Sequence, residues 1–253
     1  MSPPETDQRP TVVIVGGSRG TGRVMTKRLV ATGRRAILLS RTLPEDLAGF
    51  GDALLHIPTD LTRPAEVTHA AAALAGDLNR TSALVFFQRF RGGGDAWESE
   101  WQSSVTATRI LIDAFAEASN GQGGRAIAIV SSVASEQVAP EQPVGYHTAK
   151  AAMTQMARYY AVTLGPKGIR VNAVAPAAVL KPDSQHFYLS NEKLMAMYRK
   201  LLPLGRIPTS DEICATVDFL IGPDSSAITG QEIRVDGGIS LLTHEALGRL
   251  LTQ

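Results

Sequence analysis

The chain has 253 residues, 44% hydrophobic and 19% charged, with a formal net charge of +1. That length can bury a full α/β core, and the near-neutral balance without a sustained basic run excludes an electrostatic footprint for nucleic acid or a membrane surface. One cysteine, Cys214, excludes an internal disulfide and a cysteine-based zinc site; it points to a reducing cytoplasm. The histidines at 56, 69, 147, 186 and 244 are scattered without ligand spacing, so no metal is expected.

Met1 to Pro10 is polar and proline-bearing, and reads as a loose leader over 1–10 rather than a secretory signal or a span. Beyond it, short apolar runs alternate with longer segments of helical period. Strands are predicted at Thr11 to Val15, Arg35 to Leu39, Ala53 to Ile57, Ala83 to Phe87, Ala126 to Val130, Arg170 to Ala173 and Glu232 to Val235. Helices are predicted at Thr21 to Thr32, Pro64 to Gly76, Trp97 to Ser119, Tyr146 to Leu164 and Ser210 to Leu220. The pattern is that of a doubly wound α/β protein, a parallel sheet covered on both faces. No linker divides it, so 11–253 is read as one domain. The segment 177–208 breaks the alternation and follows a strand, which places it at the carboxyl edge where ligands bind. It is read as a substrate lid, with Phe187 and Tyr188 as an aromatic wall for the substrate.

The first strand runs into Gly16-Gly17-Ser18-Arg19-Gly20-Thr21-Gly22. Glycines allow a tight turn and close approach to a pyrophosphate, and the helix that follows offers N–H donors and a positive dipole end. The second strand ends in Ser40-Arg41, where an NAD-preferring fold commonly places an acid for the ribose hydroxyls. Arginine there, with Arg19 in the turn, suits a 2′-phosphate, so NADP(H) is favoured over NAD(H). Asp60-Leu61 after the third strand can meet an adenine ring, or Asp60 can cap the next helix.

Tyr146 and Lys150 stand one helical turn apart, and Ser132 closes the strand before them. A lysine so placed pulls down a tyrosine pKa that is ordinarily about 10, which lets the phenol serve as a general acid. Ser132 can hold a substrate oxygen while the proton arrives. Carbonyl reduction, or oxidation of the matching alcohol, by hydride transfer is the leading reading.

These marks, together with Arg170-Val171-Asn172-Ala173-Val174-Ala175-Pro176 and the closing Ile228-Thr229-Gly230-Gln231 to Asp236-Gly237-Gly238, resemble the short-chain dehydrogenase/reductase family over Thr11 to Ser240. The resemblance implies a single-domain Rossmann fold with a seven-stranded parallel sheet, NAD(P) binding, and a homodimer or homotetramer packed through the helices from Trp97 and Tyr146. It also implies that Lys150 grips the nicotinamide ribose and that the backbone of Val179 holds the carboxamide. Departures stand beside the matches. The family's usual Asn-Asn-Ala-Gly is Phe86-Phe87-Gln88-Arg89, which puts bulk and charge where the ribose is expected. The family's catalytic asparagine falls on Ser104, whose hydroxyl has a shorter reach in a water relay. The usual Pro-Gly is Pro176-Ala177, and a common threonine is Lys181. Arg89, Arg91 and Lys181 are read as able to recognise an anionic group on a small-molecule substrate. Two further readings keep the fold: imine or enone reduction, elimination or epimerisation on the same cofactor, and a non-catalytic NADP(H)-binding regulator.

Overall fold

The computed structural model describes residues 9–92, 96–119 and 123–252; most of the leader at 1–10, and Gly93 and Gly94 of the basic loop, lie outside them. Seven parallel strands run in the order β3-β2-β1-β4-β5-β6-β7. They are β1 (Thr11–Val15), β2 (Arg35–Ser40), β3 (Leu54–Pro58), β4 (Thr81–Phe86), β5 (Arg125–Val130), β6 (Ile169–Pro176) and β7 (Glu232–Val235). All seven fall where the apolar runs predict them, with ends shifted by at most three residues.

Each central strand is apolar on both sides because each face is covered. Val13, Val15, Leu84, Phe86, Ile127 and Ile129 point to one core, under the helices Pro64–Ala73, Ala107–Glu117 and Val144–Leu164. Val12, Ile14, Ala83, Val85, Ala126 and Ala128 point to the other, under Gly20–Ala31 and Ser210–Ile221. The alternation is the strand period of two serving two cores at once.

The predicted helix Trp97 to Ser119 is in fact three pieces: an α-turn Ala96–Glu100, a π-helical stretch Trp101–Thr106, and the α-helix Ala107–Glu117. Within it the Ser104 carbonyl is met by the Thr108 hydroxyl at 2.5 Å and the Gln88 side-chain amide at 3.5 Å. The helix predicted over Pro64 to Gly76 ends at Ala73, and a separate turn, Ala75–Leu78, follows. The segment 177–208 carries two helices of its own, Gln185–Leu189 and Glu192–Leu201. A last helix, His244–Thr252, was not expected.

The segment 177–208 is anchored where it returns to the body. Leu180 N–H donates to the Pro208 carbonyl at 2.8 Å, and Thr209 opens the next helix with a capping box to Glu212. Arg206 grips the same carboxylate with both guanidinium nitrogens, at 2.8 and 2.6 Å. Those bonds, with the Thr209 N–H, hold the Glu212 carboxyl down at about 2 against an ordinary 4.5. A depressed folded-state pKa contributes stability above the unfolded pKa and loses it as pH falls towards the folded value. Glu212→Gln is therefore expected to lower the urea midpoint at neutral pH, with the gap from wild type closing as pH falls from 4.5 to 2.

The turn after β1 is set by backbone crowding. Gly16 has φ +78, and a Cβ on it would stand 2.6 Å from both Cα and N of Gln88 at the end of β4. Gly16→Ala combines a disfavoured φ with a clash against backbone, and is expected to cost about 2 kcal/mol or more in urea denaturation.

Candidate functional site

Strand order fixes where the site lies. The chain moves outward from β1 to β3 and crosses back to β4, so a crevice opens beyond the carboxyl ends of β1 and β4. Two adjoining cavities occupy it, sharing Arg19, Gln88, Arg89 and Arg91.

The larger cavity, about 450 Å³, runs from Gly16, Ser18 and Arg19 past Ser40 and Arg41 to Asp60 and Leu61. Every one of these was expected to touch the cofactor. The Ser40 hydroxyl is engaged with the Thr42 carbonyl at 2.9 Å and the His56 ring, and shapes the turn that presents Arg41. Asp60 accepts from the Thr62 N–H and hydroxyl at 3.0 and 2.8 Å, so it closes its own turn instead of capping the next helix, whose first turn starts at Pro64. Burial alone would raise the Asp60 carboxyl; the Thr62 bonds and the charges of Arg41 and Arg63 outweigh it and hold the pKa low.

The smaller cavity, about 100 Å³, brings Ser132, Tyr146, Lys150 and Val179 together with Gly20, Thr21 and Gly22. Tyr146 and Lys150 come from the helix Val144–Leu164, Ser132 from the end of β5, and Val179 from beyond β6. Lys150 is 3% exposed; its Nζ reaches the Val130 carbonyl at 2.9 Å and the Gln88 carbonyl at 3.5 Å, and lies 5.9 Å from the Tyr146 ring centre. Burial brings its pKa down to about 8, with Glu100 opposing and Arg89 and Lys181 adding to the fall. Ser132 Oγ accepts from Ala134 N–H at 3.2 Å and lies 3.4 Å from the Pro176 carbonyl.

The two residues that depart from the family pattern after β4 diverge in direction. Gln88 is buried and turns its side chain inward, donating to Thr108 Oγ1 at 2.7 Å. Arg89 turns outward over the Tyr146 ring, 4.2 Å from its centre, and donates to Gln142 Oε1. Its Nε is buried without a hydrogen-bond partner. Lys181 lines the same cavity, and burial with the charges of Arg91 and Arg89 lowers it to about 8, against the pull of Asp183.

Other expectations need correction. Ser104 is 0% exposed and lines neither cavity; its hydroxyl donates instead to Glu100 Oε1 at 2.6 Å. Phe187 and Tyr188 line neither cavity. Phe187 is 62% exposed, and Tyr188 stacks edge-on against Phe187 and Tyr198. The short helix Gln185–Leu189 uses its aromatic residues on itself and on Glu192–Leu201, which leaves the cavity to the polar Lys181.

Two residues at the site escaped the sequence reading. Asp183 Oδ2 accepts the Gly20 N–H at 2.9 Å, at the start of the helix Gly20–Ala31, which has no side-chain cap of its own. Glu100 is a buried acid; its signal was a carboxylate one helical turn before the buried Ser104.

The crevice fits a nicotinamide dinucleotide. A Cβ on Gly22 would meet the Gly16 carbonyl at 2.5 Å, so the cradle admits only glycine there. The helix start above it already attracts a carboxylate, the preference expected of N–H groups at a positive dipole end. Arg19 and Arg41 flank the larger cavity.

Comparison with known proteins agrees. Residues 16–240 match the family model described as Enoyl-(Acyl carrier protein) reductase. L-xylulose reductase of Bos taurus is 30% identical over 233 residues, covering 89% of this chain and 94% of that protein. L-rhamnose 1-dehydrogenase (NADP(+)) of Thermoplasma acidophilum is 27% identical, covering 90% and 94%. The crystal structure of an oxidoreductase of the short chain dehydrogenase/reductase family from Burkholderia thailandensis superposes with a TM-score of 0.80 at 28% identity, over 97% of this chain and 98% of that one. Glycine cradle, strand order and sequence agree, and the chain belongs to the short-chain dehydrogenase/reductase family, oxidoreductases that use nicotinamide cofactors.

Proposed function

We propose that this protein is an NADP(H)-dependent oxidoreductase that reduces a carbonyl of an anionic small molecule, or oxidises the matching alcohol. The observation that carries the reading is the joint placement of Ser132, Tyr146 and Lys150 around one cavity with Gly20 and Gly22. NADPH, when bound, supplies the hydride. Ser132 Oγ holds the substrate oxygen and Tyr146 gives it the proton. Lys150, beside the phenol, offsets negative charge on the tyrosinate and grips the ribose. The backbone of Val179 holds the carboxamide. Preference for the 2′-phosphate rests on Arg41 and Arg19, which flank the larger cavity with no carboxylate in the place of Arg41. A relative named for NADP(+) supports it.

The anionic substrate follows from Arg89, Arg91 and Lys181, which line the mouth of the same cavity; the unpartnered Nε–H of Arg89 is a donor waiting for an acceptor. The segment 177–208 serves as the lid, contributing Lys181 and not its aromatic residues. Val144, Tyr159 and Val162 stand exposed on the helix Val144–Leu164, an apolar stripe that fits a homodimer or homotetramer, and the single buried thiol of Cys214 suits a reducing cytoplasm. Among the described residues no helix is long and apolar enough to cross a membrane.

Calorimetric titration should show NADPH bound more tightly than NADH, with the preference lost in Arg41→Ala; binding of neither nucleotide would end the reading. Against a panel of carbonyl compounds followed by NADPH absorbance, Tyr146→Phe should lose about 100-fold or more in kcat with NADPH affinity retained. Arg89→Ala should raise KM for a carboxylated carbonyl by about 10- to 100-fold, the loss of a charge-assisted pair, while uncharged carbonyls change little; equal effects on both would exclude anion recognition. Asp183 competes with phosphate oxygens for the Gly20 N–H, so Asp183→Asn should tighten NADPH binding several-fold.

A further inference from the structure

Glu100 belongs to none of the roles assigned so far. It ends the turn Ala96–Glu100, is 3% exposed, and accepts the 2.6 Å hydrogen bond of Ser104. Among the described residues no lysine or arginine makes a direct ion pair with it. A carboxylate withdrawn from water so completely is strongly disfavoured unless an opposite charge lies near.

Lys150 has the complementary problem. Its ammonium is equally buried and touches only neutral atoms: the carbonyls of Val130 and Gln88, and Met153 Sδ at 3.7 Å. Gln88 and Ser104 bridge the two groups: Lys150 Nζ reaches the Gln88 carbonyl at 3.5 Å, the Gln88 amide reaches the Ser104 carbonyl at 3.5 Å, and the Ser104 hydroxyl holds Glu100 Oε1 at 2.6 Å. The other charged and titratable groups round Lys150 are Arg89 from the loop after β4, Lys181 from the segment after β6, and Tyr146 on its own helix. Two of these are cations that oppose a charged lysine, and Glu100 is the acid that favours it. The helices bearing acid and base are locked together, since a Cβ on Gly145 would meet Trp97 Cα at 3.2 Å. A glycine at that contact lets the backbones close and fixes Glu100 relative to Lys150.

We propose that Glu100, oriented by Ser104, is the positioning counter-charge to Lys150 in a cavity crowded by Arg89 and Lys181. Ser104 thus acts through a carboxylate and not as a site for relay water. The inference rests on the proposed function only for its consequence, that a charged Lys150 serves Tyr146 and the ribose.

The test reads Lys150 directly. Full-length wild type, Glu100→Gln and Ser104→Ala are treated with trace acetic anhydride from about pH 6 to about pH 11, a span that brackets perturbed and ordinary lysines, and acetylation at each lysine is read by mass spectrometry. In Glu100→Gln the Lys150 midpoint should fall by about one pH unit or more, in Ser104→Ala by less, and the Lys181 midpoint should stay. Glu100→Asp, which keeps the charge, should recover part of the shift. A Lys150 midpoint unmoved in Glu100→Gln, even with a changed melting temperature, overturns the proposal. NADPH titration of the same samples separates the two ideas: a wild type that binds no NADPH ends the functional reading while the midpoint comparison still decides the role of Glu100.

Discussion

The site depends on how closely the turn after β1 approaches the end of β4. Gly16 N–H bonds the Leu39 carbonyl at 3.0 Å, and Phe87 N–H bonds the Val15 carbonyl at 2.8 Å. The first bond ties the turn to β2 and the second draws the exits of β1 and β4 together until no side chain fits between Gly16 and Gln88. The β1 turn is thereby aimed into the crevice. The helix Gly20–Ala31 then starts at the same space with no cap from its own N-cap residue, its Gly20 N–H taken by Asp183 from across the crevice, while Thr21 Oγ1 meets Ser210 Oγ at 3.0 Å and ties the helix to its neighbour on that face. A dinucleotide cradle is what results when parallel strands, a left-handed glycine and such a helix start coincide.

The same approach explains why Gln88 and Arg89 can replace small residues without closing the fold. With the Gln88 backbone pinned by Gly16, its side chain is directed away from the crevice, and Thr108 and the Ser104 carbonyl receive it. Arg89, one residue on in the loop after β4, turns the opposite way and lies over Tyr146, where guanidinium and ring attract each other. The smaller cavity is accordingly narrow and cationic, with Arg19, Arg91 and Lys181 around the same mouth.

The fold was legible because each central strand is covered by helices on both faces, which writes uninterrupted apolar runs such as Val12-Val13-Ile14-Val15 into the sequence. The glycine turn and Ser132 follow strands that could be counted, and Tyr146 and Lys150 fall in the first two turns of the next long helix, so the order of elements already places them round one cavity. Ser104 and the aromatic residues of 177–208 lie outside the cavities because what decides them is packing across elements. A π-helical stretch alters which residues of Ala96–Glu117 face inward, and the aromatic pair Phe187 and Tyr188 found partners within 177–208. The helix Glu192–Leu201 did leave a signal: Asn191 as cap, accepting from Leu194 N–H at 3.0 Å, with Leu194, Met195, Tyr198 and Leu201 at helical spacing.

Lys150 differs from the other buried cations in where its charge is directed. Arg125 is 6% exposed, donates to the Thr81 and Leu78 carbonyls, and lies 3.6 Å from the centre of the Phe115 ring; burial lowers it to about 10. Arg170 closes the end of Ser210–Ile221 through the carbonyls of Leu220 and Gly222, both at 2.8 Å. Both arginines sit at the start of their strands, far from the crevice, and bind several carbonyl dipoles that cannot move. Arg170 spreads its donors over those carbonyls and the Ser225 hydroxyl, while Arg125 keeps Nη1 buried without a partner. Lys150 has three donors, met by the Val130 and Gln88 carbonyls and by Met153 Sδ, and it lines a cavity at the other edge of the sheet beside Tyr146. The arginines tie strands and helices together away from the crevice, whereas Lys150, in the same low-dielectric interior, is the buried cation that lines the cavity.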